Sequence, residues 1–132
     1  MRYGETRSLD GDSHHAVTPK TAILCVTGIA QPAPYVEHLK QMTDQIDHIT
    51  FPDHHNYSDT DIKRIIQEYE KINITDKCIF TTEKDAVRLT LCNIPEEIRR
   101  QIFYIPIEPE FLTPRDQLIK NIYDYVRQDT RK

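Results

Sequence analysis

Thr21-Ala-Ile-Leu-Cys-Val-Thr27, followed directly by Gly28, is the stretch of sequence that decides the fold. Its continuous apolar centre, ended by a glycine, is typical of a β-strand that is buried on both faces. Because both faces of such a strand must be covered, the run predicts a parallel sheet between two layers of helices.

Strand-like and helix-like segments alternate along the rest of the chain. Further strands are predicted over residues 45–51, 77–82 and 101–107, and helices over 33–42, 84–91 and 114–126, with a helical turn at 95–100. The strongest helix follows Ser58-Asp-Thr-Asp61, which resembles a capping box with Asp in place of the usual Glu. One face of that helix carries Ile62, Ile65, Ile66, Tyr69 and Ile72. This alternation predicts an α/β fold, a three-layer sandwich around a mostly parallel sheet of four to five strands.

Length and composition limit the possible classes of protein. The 132 residues have room for one domain, and the polar residues 1–20, which contain the turn signal Asp10-Gly11-Asp12, are expected to form a short arm or hairpin outside the core. The net charge of −4 gives no electrostatic footprint for nucleic acid. Neither a membrane span nor a signal peptide is predicted, because the chain lacks a sufficiently long apolar run and an apolar leader.

The three cysteines favour a reducing compartment. Cys25 and Cys78 lie inside apolar strand-like runs, and Cys92 leaves the count odd without any C-x-x-C spacing. Buried reduced thiols in a cytoplasmic protein are therefore expected rather than a disulfide scaffold.

Unusual polar residues follow three of the predicted strands. The first strand ends at Gly28, the second leads into Asp53-His54-His55, and the third leads into Thr82-Glu83-Lys84-Asp85. Ligands of open α/β sheets bind outside the carboxyl ends of the strands, so these segments are expected to form one rim.

Each segment also has a purely structural interpretation. Asp53 could cap a turn, the two histidines could be exposed loop residues, and Thr82 could cap a helix with an acidic first turn. Lys84 fits this interpretation less well, because a cation near a helix N-terminus opposes the helix dipole.

Several kinds of site are disfavoured by the sequence. The glycines Gly4, Gly11 and Gly28 have no spacing suited to a phosphate-binding loop, and Pro32 removes a backbone donor that an anion cradle would use. Zinc spacing and a G-x-S-x-G nucleophile motif are also missing. No metal site is expected in this chain.

Together and in this order, three segments resemble the C-terminal part of tetraacyldisaccharide 4'-kinases. They are Gly28-Ile29-Ala30 with Pro32, Phe51-Pro52-Asp53-His54-His55 with Tyr57, and Thr81-Thr82-Glu83-Lys84-Asp85-Ala86-Val87. The resemblance runs from about Arg2, where Arg2-Tyr3-Gly4-Glu5 is similar to the family's hinge strand, to the end of the fourth predicted strand.

The resemblance implies a kinase that transfers the γ-phosphoryl group of ATP to the 4' hydroxyl of tetraacyldisaccharide 1-phosphate, a lipid A precursor. It implies a location at the cytoplasmic face of the bacterial inner membrane. ATP, Mg²⁺ and the catalytic aspartate belong to an N-terminal P-loop domain that this chain lacks, so the chain itself is expected to hold no cofactor. Residues 1–20 would then be a hinge arm and residues 21–132 the C-terminal domain, soluble and inactive by itself.

Site residues carried over from the resemblance lie on the expected rim. The family's histidine that pairs with the catalytic aspartate corresponds to His54, with His55 as the alternative, and Asp53 would fix the loop or the imidazole. The cleft rim would include Gly28, Thr82, Glu83, Lys84 and Asp85. Arg88 stands where many members have Lys, which keeps the charge but not the geometry.

Two other functions remain open at this point. Asp53-His54-His55 could be part of a stand-alone metal-dependent phosphoesterase, although the chain offers an incomplete set of ligands. The rim could instead bind an anion or a partner protein without catalysis, because the fold alone does not determine function.

Overall fold

The computed structural model describes residues 2–108 of the 132-residue chain. Its strands are β1 (Arg2–Tyr3), β2 (Arg7–Ser8), β3 (Ala22–Thr27), β4 (Gln45–Thr50), β5 (Lys77–Thr81), β6 (Ile102–Tyr104) and β7 (Ile107–Glu108). Its helices are α1 (Ala33–Lys40), α2 (Asp59–Lys71), α3 (Glu83–Thr90) and α4 (Glu96–Arg99). The helix predicted over 114–126 lies outside the described residues. No helix within residues 2–108 is long and apolar enough to cross a membrane.

The main sheet has five strands in the order β2-β6-β5-β3-β4. All of its pairs are parallel except that of β2 with β6. After β3 the chain passes to β4 on one side, and then crosses to β5 on the other side of β3. The predicted α/β fold with a mostly parallel sheet is therefore confirmed, and a topological switch point lies between β3 and β5.

Helices cover both faces of this sheet, which confirms the predicted three layers. Leu24 and Val26 of β3 face a core that α2 and α3 complete, whereas Ile23 and Cys25 face a core that α1 completes. All six residues of β3 are buried. The apolar run from which the fold was predicted is thus the centre of the molecule.

Helix α2 begins with the predicted capping box. The hydroxyl oxygen of Ser58 accepts the N–H of Asp61 at 3.2 Å, and the Asp61 carboxylate accepts the N–H of Ser58 at 2.9 Å. Two backbone donors at the helix start are thereby satisfied, and Asp serves in place of the longer Glu.

The fourth predicted strand, 101–107, proved too long. Strand β6 ends at Tyr104, and the chain then leaves the main sheet to form β7, which pairs antiparallel with β1. Pro106 lies between the two strands and has no N–H to donate to a sheet. Its carbonyl accepts the N–H of Gly4 at 2.7 Å.

The expectation that residues 1–20 lie wholly outside the core was also wrong. Arg7 and Ser8 form the edge strand β2, and Ser8 is buried. An uncovered β6 would present a row of unpaired backbone groups, and β2 pairs with that edge. Farther along the arm, His15 Nε2 lies 2.6 Å from Asp76 Oδ1, which ties the arm to the turn before β5.

The three cysteines differ in burial, so their reactivity tests how the sheet is packed. Cys25 and Cys78 are fully buried, and burial raises the pKa of each thiol to about 12. Cys92 is half-buried, and burial raises its pKa as well. At pH 8 we expect an alkylating reagent to modify Cys92 first in the native chain. Cys25 and Cys78 should react only after denaturation, as mass spectrometry of the digested protein would measure. Modification of Cys25 in the native chain would contradict this packing.

Candidate functional site

The carboxyl ends of β3, β4 and β5 meet at one edge of the sheet, as the sequence predicted. Val26 of β3 is paired with Ile49 of β4 on one side and with Thr81 of β5 on the other. The segments that follow these strands are therefore neighbours at the switch point. We call the contacts among residues 28, 53–57 and 82–88 the rim cluster.

The centre of the rim cluster is the carboxylate of Asp85, which is fully buried. Its Oδ2 accepts hydrogen bonds from Gly28 N at 3.0 Å and from Thr82 Oγ1 at 2.6 Å. Its Oδ1 accepts from Tyr57 Oη at 3.1 Å and from Arg88 Nη1 at 3.3 Å. A buried carboxylate is costly to desolvate, and these donors together offset that cost. The predicted rim residue Asp85 thus lies beneath the rim and connects its parts.

Residue 28 must be a glycine because side chains of the rim cluster lie very close to its Cα. A Cβ atom at this position would lie 3.0 Å from Asp85 Oδ1, 3.2 Å from Tyr57 Oη and 3.3 Å from His55 Cβ. Any larger residue would push these groups apart. The glycine that ends β3 therefore has a packing reason, and its N–H is already used by Asp85.

Tyr57 contributes a permanent donor to the cluster. Burial raises the pKa of its hydroxyl, and the nearby charge and hydrogen-bond acceptance of Asp85 raise it further. The hydroxyl therefore stays protonated and continues to donate to Asp85. In the sequence analysis Tyr57 appears only as part of a motif, and its contact with Asp85 was not predicted. Its position two residues after His55 was the only signal that placed it near the rim.

The two adjacent histidines have different environments. His55 is half-buried, stacks on the Phe51 ring with centroids 4.7 Å apart, and has its Nε2 2.7 Å from Asp61 Oδ2. It therefore braces the start of α2. The side chain of His54 is 77% exposed, and its Nε2 lies 3.4 Å from Asp53 Oδ2. Of the two, His54 is the one available to a ligand or partner.

His54 also has a left-handed backbone, with φ of +60°. Such a conformation is uncommon for a residue other than glycine and costs about 1 kcal/mol. It is held by the hydrogen bond that His54 N donates to Gly28 O at 3.1 Å. The turn that carries the exposed imidazole is therefore fixed to the end of β3.

In the Thr82-Glu83-Lys84-Asp85 segment, the first and last residues are buried and the middle two are exposed. Thr82 is the N-cap of α3, and its hydroxyl accepts the N–H of Asp85 at 3.1 Å, as the structural interpretation predicted. Glu83 and Lys84 are exposed on the first turn of the helix. Their predicted place on a substrate cleft stays a prediction.

The chemistry available at the rim is that of an exposed imidazole on a fixed turn. The Gly28 N–H, which follows the first parallel strand, is taken by the Asp85 carboxylate and is not free for a phosphate group. Within residues 2–108 there is no group of three His, Cys, Asp or Glu side chains that could hold a metal ion. The exposed imidazole of His54 can donate or accept a hydrogen bond at its ring nitrogens.

Comparison with known proteins identifies a matching family and individual relatives. A family model described as tetraacyldisaccharide-1-P 4'-kinase matches residues 2–127. A tetraacyldisaccharide 4'-kinase from Bacteroides thetaiotaomicron is 47% identical over 113 residues, which cover 84% of this chain and 30% of the relative.

More distant relatives bear the same name. The tetraacyldisaccharide 4'-kinase of Bacteroides fragilis is 36% identical over 99% of this chain and 37% of the relative. That of Flavobacterium johnsoniae is 36% identical over 80% of this chain and 28% of the relative. No solved structure matches the chain. The chain thus spans about a third of the length of these relatives.

The first prediction from the site concerns Asp85. Replacing Asp85 with Ala would leave the buried donors of Gly28, Tyr57 and Thr82 without an acceptor, so we expect the free energy of unfolding to fall by about 3 kcal/mol or more. Asp85→Asn should cost less, because it keeps one oxygen. Lys84→Ala, one residue away and exposed, is the control and should stay within about 0.5 kcal/mol. Urea unfolding measures all three, and a wild-type stability for Asp85→Ala would contradict the central role of this carboxylate.

The second prediction concerns pH. The pKa of Asp61 is lowered chiefly by the N–H of Ser58 and also by His55, against an opposing effect of burial. A carboxyl whose folded pKa is depressed adds stability above its unfolded pKa of about 3.9 and loses it as the pH falls through the folded pKa. Asp61→Asn should therefore lower the unfolding free energy by about 1 kcal/mol at neutral pH and flatten its fall in acid. Urea unfolding at a series of pH values tests this, with exposed Asp59→Asn as control; equal slopes for Asp61→Asn and wild type would refute it.

Proposed function

The chain belongs to the tetraacyldisaccharide-1-P 4'-kinase family, and on that basis we propose that it is the C-terminal domain of such a kinase. In this proposal the complete enzyme transfers the γ-phosphoryl group of ATP to the 4' hydroxyl of tetraacyldisaccharide 1-phosphate. The observation that carries the proposal is the match to the family over residues 2–127, which includes every residue of the rim cluster.

The part of the reaction assigned to this domain is the support of a catalytic aspartate by His54. Phosphoryl transfer depends mainly on positioning and on electrostatic stabilisation, because the transferred group needs little covalent help from the protein. An imidazole beside an aspartate orients it and stabilises charge while the aspartate takes the proton of the sugar hydroxyl. The exposure of His54 on a fixed turn supports this role, and the contacts of His55 to Phe51 and Asp61 favour a structural role for that residue.

We propose that ATP and Mg²⁺ bind outside the described rim. A phosphate cradle needs free backbone donors at a strand-to-helix turn, and here Asp85 accepts the Gly28 N–H. Residues 2–108 also lack the spacing of a phosphate-binding loop. We therefore assign nucleotide and metal binding to the remaining two-thirds of the family's length, together with the catalytic aspartate.

The remaining assignments follow from the family. The acceptor is an acylated disaccharide phosphate, so the complete kinase is proposed to work at the cytoplasmic face of the inner membrane. Its P-loop domain is the proposed partner of this chain, with residues 1–20 as the hinge arm between them. The chain alone is expected to have no kinase activity.

A chimera tests the proposal. The chain would replace the corresponding segment of the Bacteroides thetaiotaomicron relative, which is 47% identical to it. ATP-dependent transfer of labelled phosphate to tetraacyldisaccharide 1-phosphate would then be measured for the chimera and for the isolated chain. We expect activity in the chimera only, and a correctly folded but inactive chimera would contradict the proposal.

Variants of the chimera test the assignment of the histidine. His54→Ala is expected to lower kcat by about 100-fold or more, as is usual when a group that assists proton transfer is removed. His55→Ala should instead lower stability by about 1–2 kcal/mol, because it removes a packed ring and a contact to Asp61. His14→Ala, in the exposed arm, is the matched control. A loss of turnover confined to His55→Ala would reverse the assignment.

A further inference from the structure

We propose that Arg88 is a positioning residue for His54. Arg88 holds the turn that carries His54 and keeps the proton of the neutral His54 ring on Nε2. Its importance for turnover rests on the proposed function, whereas the tautomer itself does not. Neither the family match nor the sequence assigns Arg88 a role.

The guanidinium of Arg88 lies between three groups of the rim cluster. Its Nη1 is 3.3 Å from Asp85 Oδ1 and 3.3 Å from Gly28 O, and its Nη2 is 3.4 Å from His54 Nδ1. The side chain is 23% exposed, whereas that of Asp85 is fully buried. A buried anion therefore anchors one side of the guanidinium, and the other side faces the histidine.

The same groups hold the backbone of the turn. Gly28 N donates to Asp85 Oδ2 at 3.0 Å, and Gly28 O accepts from His54 N at 3.1 Å. Arg88 donates to that same carbonyl oxygen. Asp85 and Arg88 thus fix the N–H and the carbonyl of Gly28, and Gly28 in turn holds His54 at its left-handed φ.

The chemistry of the two partners determines the state of the ring. A guanidinium has donors and no acceptor, so the Nδ1 that faces it must present its lone pair. The proton of the neutral ring is then on Nε2, where the Asp53 carboxylate, 3.4 Å away, can accept it. A ring in this state has its single N–H at Nε2, so it would orient a second carboxylate by sharing or replacing the contact with Asp53.

The two separate nitrogens of Arg88 are needed for this arrangement. Nη1 is committed to Asp85 and Gly28, and Nη2 alone reaches His54. A lysine would keep the charge beside Asp85, but its single ammonium group has no second nitrogen in a fixed plane. Arg88→Lys is therefore expected to keep the fold and release His54.

The experiment measures the ring nitrogens of His54 by NMR. The 132-residue chain, labelled with ¹⁵N, would be studied by two-bond ¹H–¹⁵N correlation at a pH where the rings are neutral, with His54→Gln for assignment. In the wild type we expect Nδ1 to have the shift of an unprotonated nitrogen and Nε2 that of a protonated one. In Arg88→Lys and Arg88→Met, both shifts should move towards the averaged values of the exposed His14 in the same sample.

The outcomes distinguish this inference from the proposed function. His54 nitrogens that average like those of His14 in the wild type, or that do not change in a folded Arg88→Lys variant, would overturn the inference. Backbone amide dispersion shows whether each variant is folded, and the lysine variant serves if Arg88→Met is not. An inactive chimera together with a fixed His54 tautomer would count against the proposed function and leave the inference standing.

Discussion

The rest of the site depends on one interaction, the burial of the Asp85 carboxylate among donors from three different segments. Gly28 comes from the end of β3, Tyr57 from the segment after β4, and Thr82 from the end of β5. An isolated carboxylate in this position would be strongly unfavourable, and leaving its donors without an acceptor would also cost free energy. The hydrogen bonds to this carboxylate therefore hold the three segments at fixed distances from one another. Arg88 adds a partly exposed positive charge on the outer side of the cluster.

This arrangement explains why the two neighbouring histidines differ. His55 turns inward, where Phe51 and Asp61 fix its ring, and it joins the rim cluster to the start of α2. His54 turns outward, since its left-handed backbone reverses the direction of the chain beside Gly28. The rigid parts of the site are consequently buried, and they support the exposed imidazole of His54.

The sequence was sufficient for the parts of the structure that depend on local pattern. The run from Thr21 to Thr27 predicted the central strand, and Ser58 with Asp61 predicted the start of α2, because burial and capping leave a signal in consecutive residues. The edge strand at Arg7–Ser8 could not be predicted, since two residues have no periodicity and their pairing depends on a partner far along the chain. Asp85 had the appearance of an ordinary first-turn acid.

The site was only partly predictable for the same physical reason. Convergence of three strand ends follows from parallel topology, so the rim could be located before the structure was known. The separation of His54 from His55 could not, because it depends on one backbone angle and on the contact of His55 with Asp61. The burial of Asp85 depends in part on donors more than two dozen residues away in sequence, such as Tyr57 and Gly28. The left-handed turn has a last consequence for anyone who engineers this domain. Glycine would adopt the backbone of residue 54 without steric cost, so selection for thermal stability alone would favour the loss of the very side chain that the turn presents.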